Sequence, residues 1–244
     1  MKTFCFKLYK SERNAKLHKQ INAAGLTYNH CIALCKRYYK IFHTSLNPNR
    51  LKVHLTKLKK ISKFHYLLEI GSQAVQDVAE RIGRAYKLFF RNIARKIRSS
   101  PPGFKKVIKY KSFTLKQAGW KLDETTYTLT IKRDSLGDIY IYFVTDAKDF
   151  KVVERTGKNV GYDFGLKKFL TASDGADVKS PLFFAQNAAL IAKAAKNLSH
   201  KETGSNNRQR VRHTLAKLYK KSANQRHDFH FKLARRISLE YDTI

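Results

Sequence analysis

The sequence predicts an α+β chain of more than one domain: a small antiparallel β-barrel interrupted by an inserted helical bundle, then a second α/β unit. Three observations predict it. Apolar residues alternate in the opening TFCFKLY and again across residues 112–145, whereas the long segment between them repeats at three- and four-residue steps. A lone strand followed by helices and then by more strands reads as a helical insertion within one β unit. Beyond Gly157 the grammar restarts, strands first and helices after.

The composition supports folded domains. At 244 residues, with 43% hydrophobic and 12% aromatic residues, the chain can bury real cores and is no disordered polycation. Its 50 Lys and Arg outnumber 18 Asp and Glu, a formal charge of +32. That excess repels itself and is tolerated mainly beside a polyanion, so nucleic acid is the expected partner. No apolar run approaches the ~20 residues that span a bilayer, and the N-terminus has no signal-peptide h-region. A membrane partner is therefore not expected, and the expected location is the cytoplasm. The basicity is uneven: residues 1–100 hold 22 Lys/Arg against 4 Asp/Glu, residues 101–155 hold 11 against 7, and residues 156–244 hold 17 against 7. Three cysteines form no framework. Cys31 and Cys35 are four apart with His30 alongside, a conceivable metal pair, but without a C-x-x-C motif they read better as core packing.

In order along the chain, Phe4, Phe6 and Leu8 share one face of the first strand. Leu17, Ile21, Ala24, Tyr28, Ile32, Cys35 and Tyr39 mark a helix, residues 51–64 a second, and Val75 through Ile93 a third. Asn47-Pro48-Asn49 is a turn with helix-starting character. Pro101, Pro102 and Gly103 break the helical run. Tyr127, Leu129 and Ile131, a turn at Ser135–Asp138, then Ile139, Ile141 and Phe143 form a meander. Phe104 and Trp120 are candidate base-stacking residues, although a single Trp is more often core. The candidate domains are residues 1–10 with 101–156, residues 11–100, and residues 157–244.

Candidate phosphate contacts are Lys57 and Lys60 on the second helix, Arg84 and Arg91 on the third, and Lys105 and Lys106 after the break. The last segment adds Arg208, Arg212 and Arg226. Here two strands with a hairpin turn at Asp174-Gly175 precede a helix from Pro181 and a long helix to the end. The stripe Val211, Leu215, Leu218, Phe229, Leu233, Ile237, Tyr241 is interrupted by Ser222, Gln225 and Arg226, where contact with something polar is expected.

One acidic residue is the candidate for chemistry. In NVGYDFGLKKFLTASDG, Asp163 shares its strand face with Gly161 and Gly165, so room is left for close approach to the carboxylate. A metal-bound phosphate needs such room. A bend or bulge is the plainer reading of the same residues. Asp174 reads as a turn residue, Asp177 as a loop residue, and Glu240 and Asp242 as residues of a helix end.

VGYDFGLKKFLTASDG resembles the first RuvC motif of the TnpB/OrfB family, insertion-sequence proteins related to type V CRISPR nucleases. In the same order, LTYNHCIALCKRYYK, SQAVQDVAERIGRAYKLFFRNI, PPGFKKVIKYKSFTL and the long stretch from NLSHK to ARRIS are similar to family segments. The resemblance covers nearly the whole chain. It implies a transposon-associated, RNA-guided DNA endonuclease with guide RNA and DNA as partners, the protein holding the heteroduplex by shape and backbone. It implies a wedge-like β-barrel with a helical recognition insertion, followed by the N-terminal part of an RNase H-like (RuvC) domain. Asp163 would be its first catalytic carboxylate and a Mg²⁺ ligand.

The family's second and third carboxylates, and the zinc ribbon between them, have no counterpart in this sequence, which reads as C-terminally truncated. One Asp cannot hold two ions. Cleavage by this chain alone is therefore not expected, and whether it acts as an enzyme stays open. A non-catalytic RNA binder or repressor is the alternative, and a generic basic ribosome- or chromatin-associated protein the third reading.

Overall fold

The computed structural model describes residues 2–116, 126–146, 155–165 and 168–244. Trp120 lies outside them. The architecture is mixed α/β, with six α-helices and two antiparallel sheets among the described residues, in two compact units, Met1–Asp149 and Phe150–Ile244.

In the first unit, β1 (Lys2–Lys7) leads into α1 (Arg13–Phe42), α2 (Pro48–Leu58), the single turn α3 (Tyr66–Glu69) and α4 (Gly71–Ala94). Then come β2 (Ser112–Leu115), β3 (Thr126–Arg133) and β4 (Ile139–Thr145). Asn47 caps α2, its side chain accepting from the Asn49 N–H at 2.8 Å ahead of Pro48 in the first turn, as the Asn-Pro-Asn signal implies. The helical run stops before the Pro-Pro-Gly break. Lys96 turns left-handed at φ 57°, the Ile97 N–H reaches the Asn92 carbonyl and the Lys96 N–H the Ile93 carbonyl, at 2.9 and 2.8 Å. This pair of bonds is a Schellman closure formed without glycine.

Among the described residues the strands form an open sheet in the order β1-β4-β3-β2, not the closed barrel the sequence suggests. β1 and β2 are its two edges. Four strands are too few to wrap on themselves, small closed barrels needing about five, and the helices take one face instead. Register places Phe113, Ile131, Ile141 and Phe6 in one row across the sheet. At the β2–β3 end, Phe113 and Ile131 are buried in a single core with Ile21, Ile32, Leu51, Leu67 and Val78. At the β1 end, Phe6 is 56% exposed. Each buried side chain of this size contributes about 2 kcal/mol, so stability is concentrated where helices meet β2 and β3. Two glycines set the spacing. A Cβ on Gly25 would fall 2.9 Å from the Tyr110 Cβ, and one on Gly83 would fall 2.3 Å from the Pro48 Cγ.

In the second unit, β5 (Tyr162–Asp163), β6 (Lys168–Ala172) and β7 (Val178–Lys179) make an antiparallel sheet in sequence order. They are followed by α5 (Phe183–Ser199) and α6 (Asn206–Glu240). Past α6 the chain returns beside the start of the sheet. Asn159 and Thr243 form a parallel bridge, Val160 N–H donates to the Thr243 carbonyl at 3.1 Å, and Asp242 N–H donates to the Lys158 carbonyl at 2.9 Å. The core is Val160, Leu170, Ala172, Leu233, Ile237 and Tyr241, so the C-terminal half of the predicted α6 stripe packs on the sheet. Asn187 of α5 donates to the Gln225 Oε1 at 3.2 Å, which supplies one polar partner at the interruption of that stripe.

Candidate nucleic-acid interface and carboxylate site

The cations of the first unit occupy different settings. Lys57 and Lys60 are exposed, at and just past the end of α2. Arg84 and Arg91, seven residues apart and so on one face of α4, are both exposed. Arg84 has loose carboxylate neighbours, Asp77 at 3.7 Å and Glu80 at 3.8 Å. Beneath it, Asp77 is buried. Its Oδ2 accepts from the Arg81 Nε at 2.7 Å and from the Thr114 N–H at 3.0 Å, tying α4 to β2. Burial lifts the Asp77 carboxyl above the ordinary range, outweighing Arg81 and the Thr114 N–H. Glu80 goes the other way, held low by Lys116 and then Lys52.

Lys105 is fixed by its backbone. Its N–H donates to the Asn29 Oδ1 at 2.9 Å and its carbonyl accepts from the Asn29 Nδ2 at 2.7 Å. Its ammonium lies 4.6 Å over the Tyr28 ring, while Lys36 lies 4.7 Å over Phe104, which is 58% exposed. The structure thus brings Lys105, Phe104 and Lys36 to one stretch of α1, with Lys106 exposed beside them. Sequence reasoning missed Lys36 and Asn29. Asn29 is 76 residues from Lys105, and no local pattern links them. Cys31 and Cys35 are buried in the core, which pushes their thiols up to about 12 and about 11.

In the second unit Arg208 is engaged. Its guanidinium donates to the carbonyls of Leu198 and Lys201 at 3.0 and 2.7 Å and closes the α5–α6 connection. Arg212 and Arg226 are exposed on α6.

The carboxylates of this unit separate clearly. Asp174 accepts from the Tyr241 hydroxyl and the Ala176 N–H, and the Tyr241 bond above all holds it below its usual range. Asp177 pairs with Lys168 and Asp228 with Lys232 at 2.8 Å. Asp242 accepts from the N–H groups of Thr156 and Gly157, at 2.9 and 2.8 Å, which hold it low. Asp163 is exposed on β5, opposite Thr171 of β6, and has no hydrogen-bond or ion-pair partner among the described residues. Both flanking glycines are exposed too. Among the described residues no three His, Cys, Asp or Glu converge as metal ligands. The donor set present therefore does not fit a two-ion centre, which needs several carboxylates around ions ~4 Å apart. Among the described residues no helix is long and apolar enough to cross a membrane.

Residues 142–244 match a family model described as "Probable transposase". The chain is 23% identical over 269 residues to a "Putative RNA-guided DNA endonuclease" of Streptomyces pristinaespiralis, aligning over 100% of this chain and 65% of the relative. It is 24% identical over 255 residues to a "Putative RNA-guided DNA endonuclease InsQ" of Escherichia coli K12, over 96% of this chain and 62% of the relative. It thus spans somewhat under two thirds of the length of these curated relatives. Among solved structures, a CRISPR-Cas12f ternary complex determined by cryo-electron microscopy aligns with 93% of this chain and 60% of its own, at 15% identity and a TM-score of 0.35, a likeness that carries no weight for the fold. The family model over the C-terminal part and the two full-span alignments point the same way as the ordered motifs of the sequence, which resemble the TnpB/OrfB family.

Proposed function

We propose that this chain is an RNA-guided DNA-binding protein whose first unit grips nucleic acid and whose second opens an RNase H-like nuclease fold. In this reading residues 1–10 with 101–156 form a wedge, residues 11–100 a recognition insertion and residues 157–244 the nuclease part. The topology around Asp163 carries the proposal. Three antiparallel strands are followed by two helices and a chain return that bridges Asn159 in parallel, four residues ahead of Asp163, which itself sits on β5 paired to Thr171 of β6. Among the described residues it is also the Asp of this unit left without a partner, between exposed glycines. The curated relatives described as RNA-guided DNA endonucleases supply the substrate class. Asp163 is the residue that would offer a Mg²⁺ ion its first ligand. Since the described donor set does not hold an ion pair, this chain alone binds without cutting.

The cations placed for binding are Lys57, Lys60, Arg84, Arg91, Lys105 and Lys106 in the first unit and Arg212 and Arg226 in the second. Arg208 contributes charge while its donors hold the helix connection. Fluorescence anisotropy with a labelled RNA and a DNA duplex tests the reading. Binding should weaken steeply with salt, log K falling by ~0.7–0.9 per phosphate contact for each decade, and alanine at both Lys57 and Lys60 should flatten the slope. Absence of binding at low salt would overturn it. Incubation of the same chain with Mg²⁺ and plasmid should give no cleavage. Cleavage lost on Asp163→Ala would refute the binding-only part and keep the family reading.

A further inference from the structure

Resting on the nucleic-acid reading above, we propose that a cavity between α5, α6 and β6 receives one unstacked base of a single-stranded nucleic acid. The cavity encloses about 510 Å³, within the roughly 300–1,000 Å³ of small-molecule sites. Its walls are aromatic: Phe169, Phe183, Phe184, Tyr219 and Phe229. Phe184 and Tyr219 stand at 60% and 47% exposure, so flat apolar rings are presented to solvent at its mouth. A base stacks on such rings whatever its identity.

Polar groups sit where a base edge and its phosphate would need them. Ser222 lines the cavity, is only 8% exposed, and its Oγ has no hydrogen-bond partner among the described residues. A helical hydroxyl ordinarily bonds back to the carbonyl four residues earlier, as Thr214 of the same helix does to Arg210 at 3.2 Å. The Ser222 hydroxyl is thus a buried polar group left over by the fold, and such groups mark an unfilled partner. Four and eight residues on, Arg226 and His230 line the same cavity, one above another on a single helix face. Arg226 has no ion-pair or hydrogen-bond partner among the described residues, and a guanidinium there suits the phosphate of a base held below it. The occupant's charge is set by α6, which carries ten Lys and Arg against Asp228 and Glu240. An apolar peptide gains nothing from those cations, whereas a nucleotide uses rings, hydroxyl and guanidinium together.

The probe is a fluorescent single-stranded dodecamer, in DNA and RNA versions, carrying 5-iodouracil for photocrosslinking and peptide mapping by mass spectrometry. Crosslinks are expected at Phe184 or Tyr219. The Phe184→Ala/Tyr219→Ala double variant should bind roughly tenfold more weakly. Its melting temperature should hold, because both rings are exposed. Arg226→Ala should weaken binding and lower the salt slope by about one phosphate. Oligonucleotide binding with crosslinks only outside the cavity, and variants within twofold of wild type, would overturn the inference and leave the proposed function standing. Absence of any oligonucleotide binding would remove both. A concentration-dependent dimer abolished by Phe184→Glu would assign the cavity to a second copy and refute the base.

Discussion

Asp77 offers the sharpest test of how the helical insertion is joined to the sheet. Replacing it with alanine removes the acceptor of the Thr114 N–H at 3.0 Å and the counter-ion of Arg81 at 2.7 Å. An orphaned, half-buried N–H costs about 1 kcal/mol, the lower end of the range for buried groups. Arg81 is discounted because it is 26% exposed and keeps bonds to the Ser112 carbonyl and the Thr114 hydroxyl, both at 2.8 Å. The expected loss for Asp77→Ala is about 3 kcal/mol, the lower end for breaking a buried pair. Asparagine keeps an oxygen for the Thr114 N–H and removes a charge that burial already disfavours, so Asp77→Asn should cost about 1 kcal/mol. The pH dependence has a definite sign. A carboxyl raised by folding binds its proton more readily in the native state, so stability due to this group falls as pH rises from the ordinary Asp range through the raised value. The wild-type advantage over Asp77→Asn should narrow over that interval. Urea unfolding followed by circular dichroism, with unchanged m-values, measures both losses. Equal costs for the two variants, or an alanine cost below about 1 kcal/mol, would refute the bridging role of Asp77.

Gly83→Ala sets two effects against each other. Alanine favours the helix by about 1 kcal/mol, but its Cβ would meet the rigid Pro48 ring at 2.3 Å, and overpacking costs about 1–3 kcal/mol. The melting temperature should fall by several degrees, and a rise would show that α2 moves aside freely. His30 of α1 and His54 of α2 face each other with Nε2 atoms 3.0 Å apart, stacked rings and Phe64 against the edge. Burial lowers both, helped by mutual repulsion and Arg37 at His30 and by Lys57 at His54. The unfolded chain then takes up protons first, so stability should decline as pH falls below 6.5, the ordinary histidine value. His54→Gln should flatten melting temperature against pH between 7 and 5, and an unchanged slope would refute the pair's role.

Local grammar made the helices legible. The three- and four-residue repeat marks α1 and α4, and Asn-Pro-Asn marks the start of α2, because periodicity and capping are written in neighbouring residues. Closure of the sheet is not written there. It depends on which edge strands find each other after ninety residues of helix, and here the helices cover one face of an open sheet. The stop of α4 shows a subtler failure. Pro101 and Pro102 are the visible breakers, yet the helix ends earlier through a left-handed lysine, a conformation the sequence does not advertise. Charge is equally ambiguous. Arg208 and Arg212 look alike in a basic helix, but one reaches two carbonyls of the preceding helix end while the other faces solvent.

The same distinction decides the carboxylates. SDG at residues 173–175 and YDFG at 162–165 each put an Asp within two residues of a glycine, and turn preference alone separates them weakly. Hydrogen bonds separate them fully. Asp174 is spent on Tyr241 and the Ala176 N–H, so it pins the end of α6 to the β6–β7 turn. Asp242 clamps residues 156–157 and so fixes the parallel return beside Asn159, just ahead of β5. These two carboxylates therefore build the frame within which Asp163 is left exposed. Among the described residues Asp163 therefore stabilises nothing on its own account, and its proposed role as a metal ligand is separable from folding. Neutralising Asp174 or Asp242 should loosen the sheet, while Asp163→Asn should leave the fold untouched.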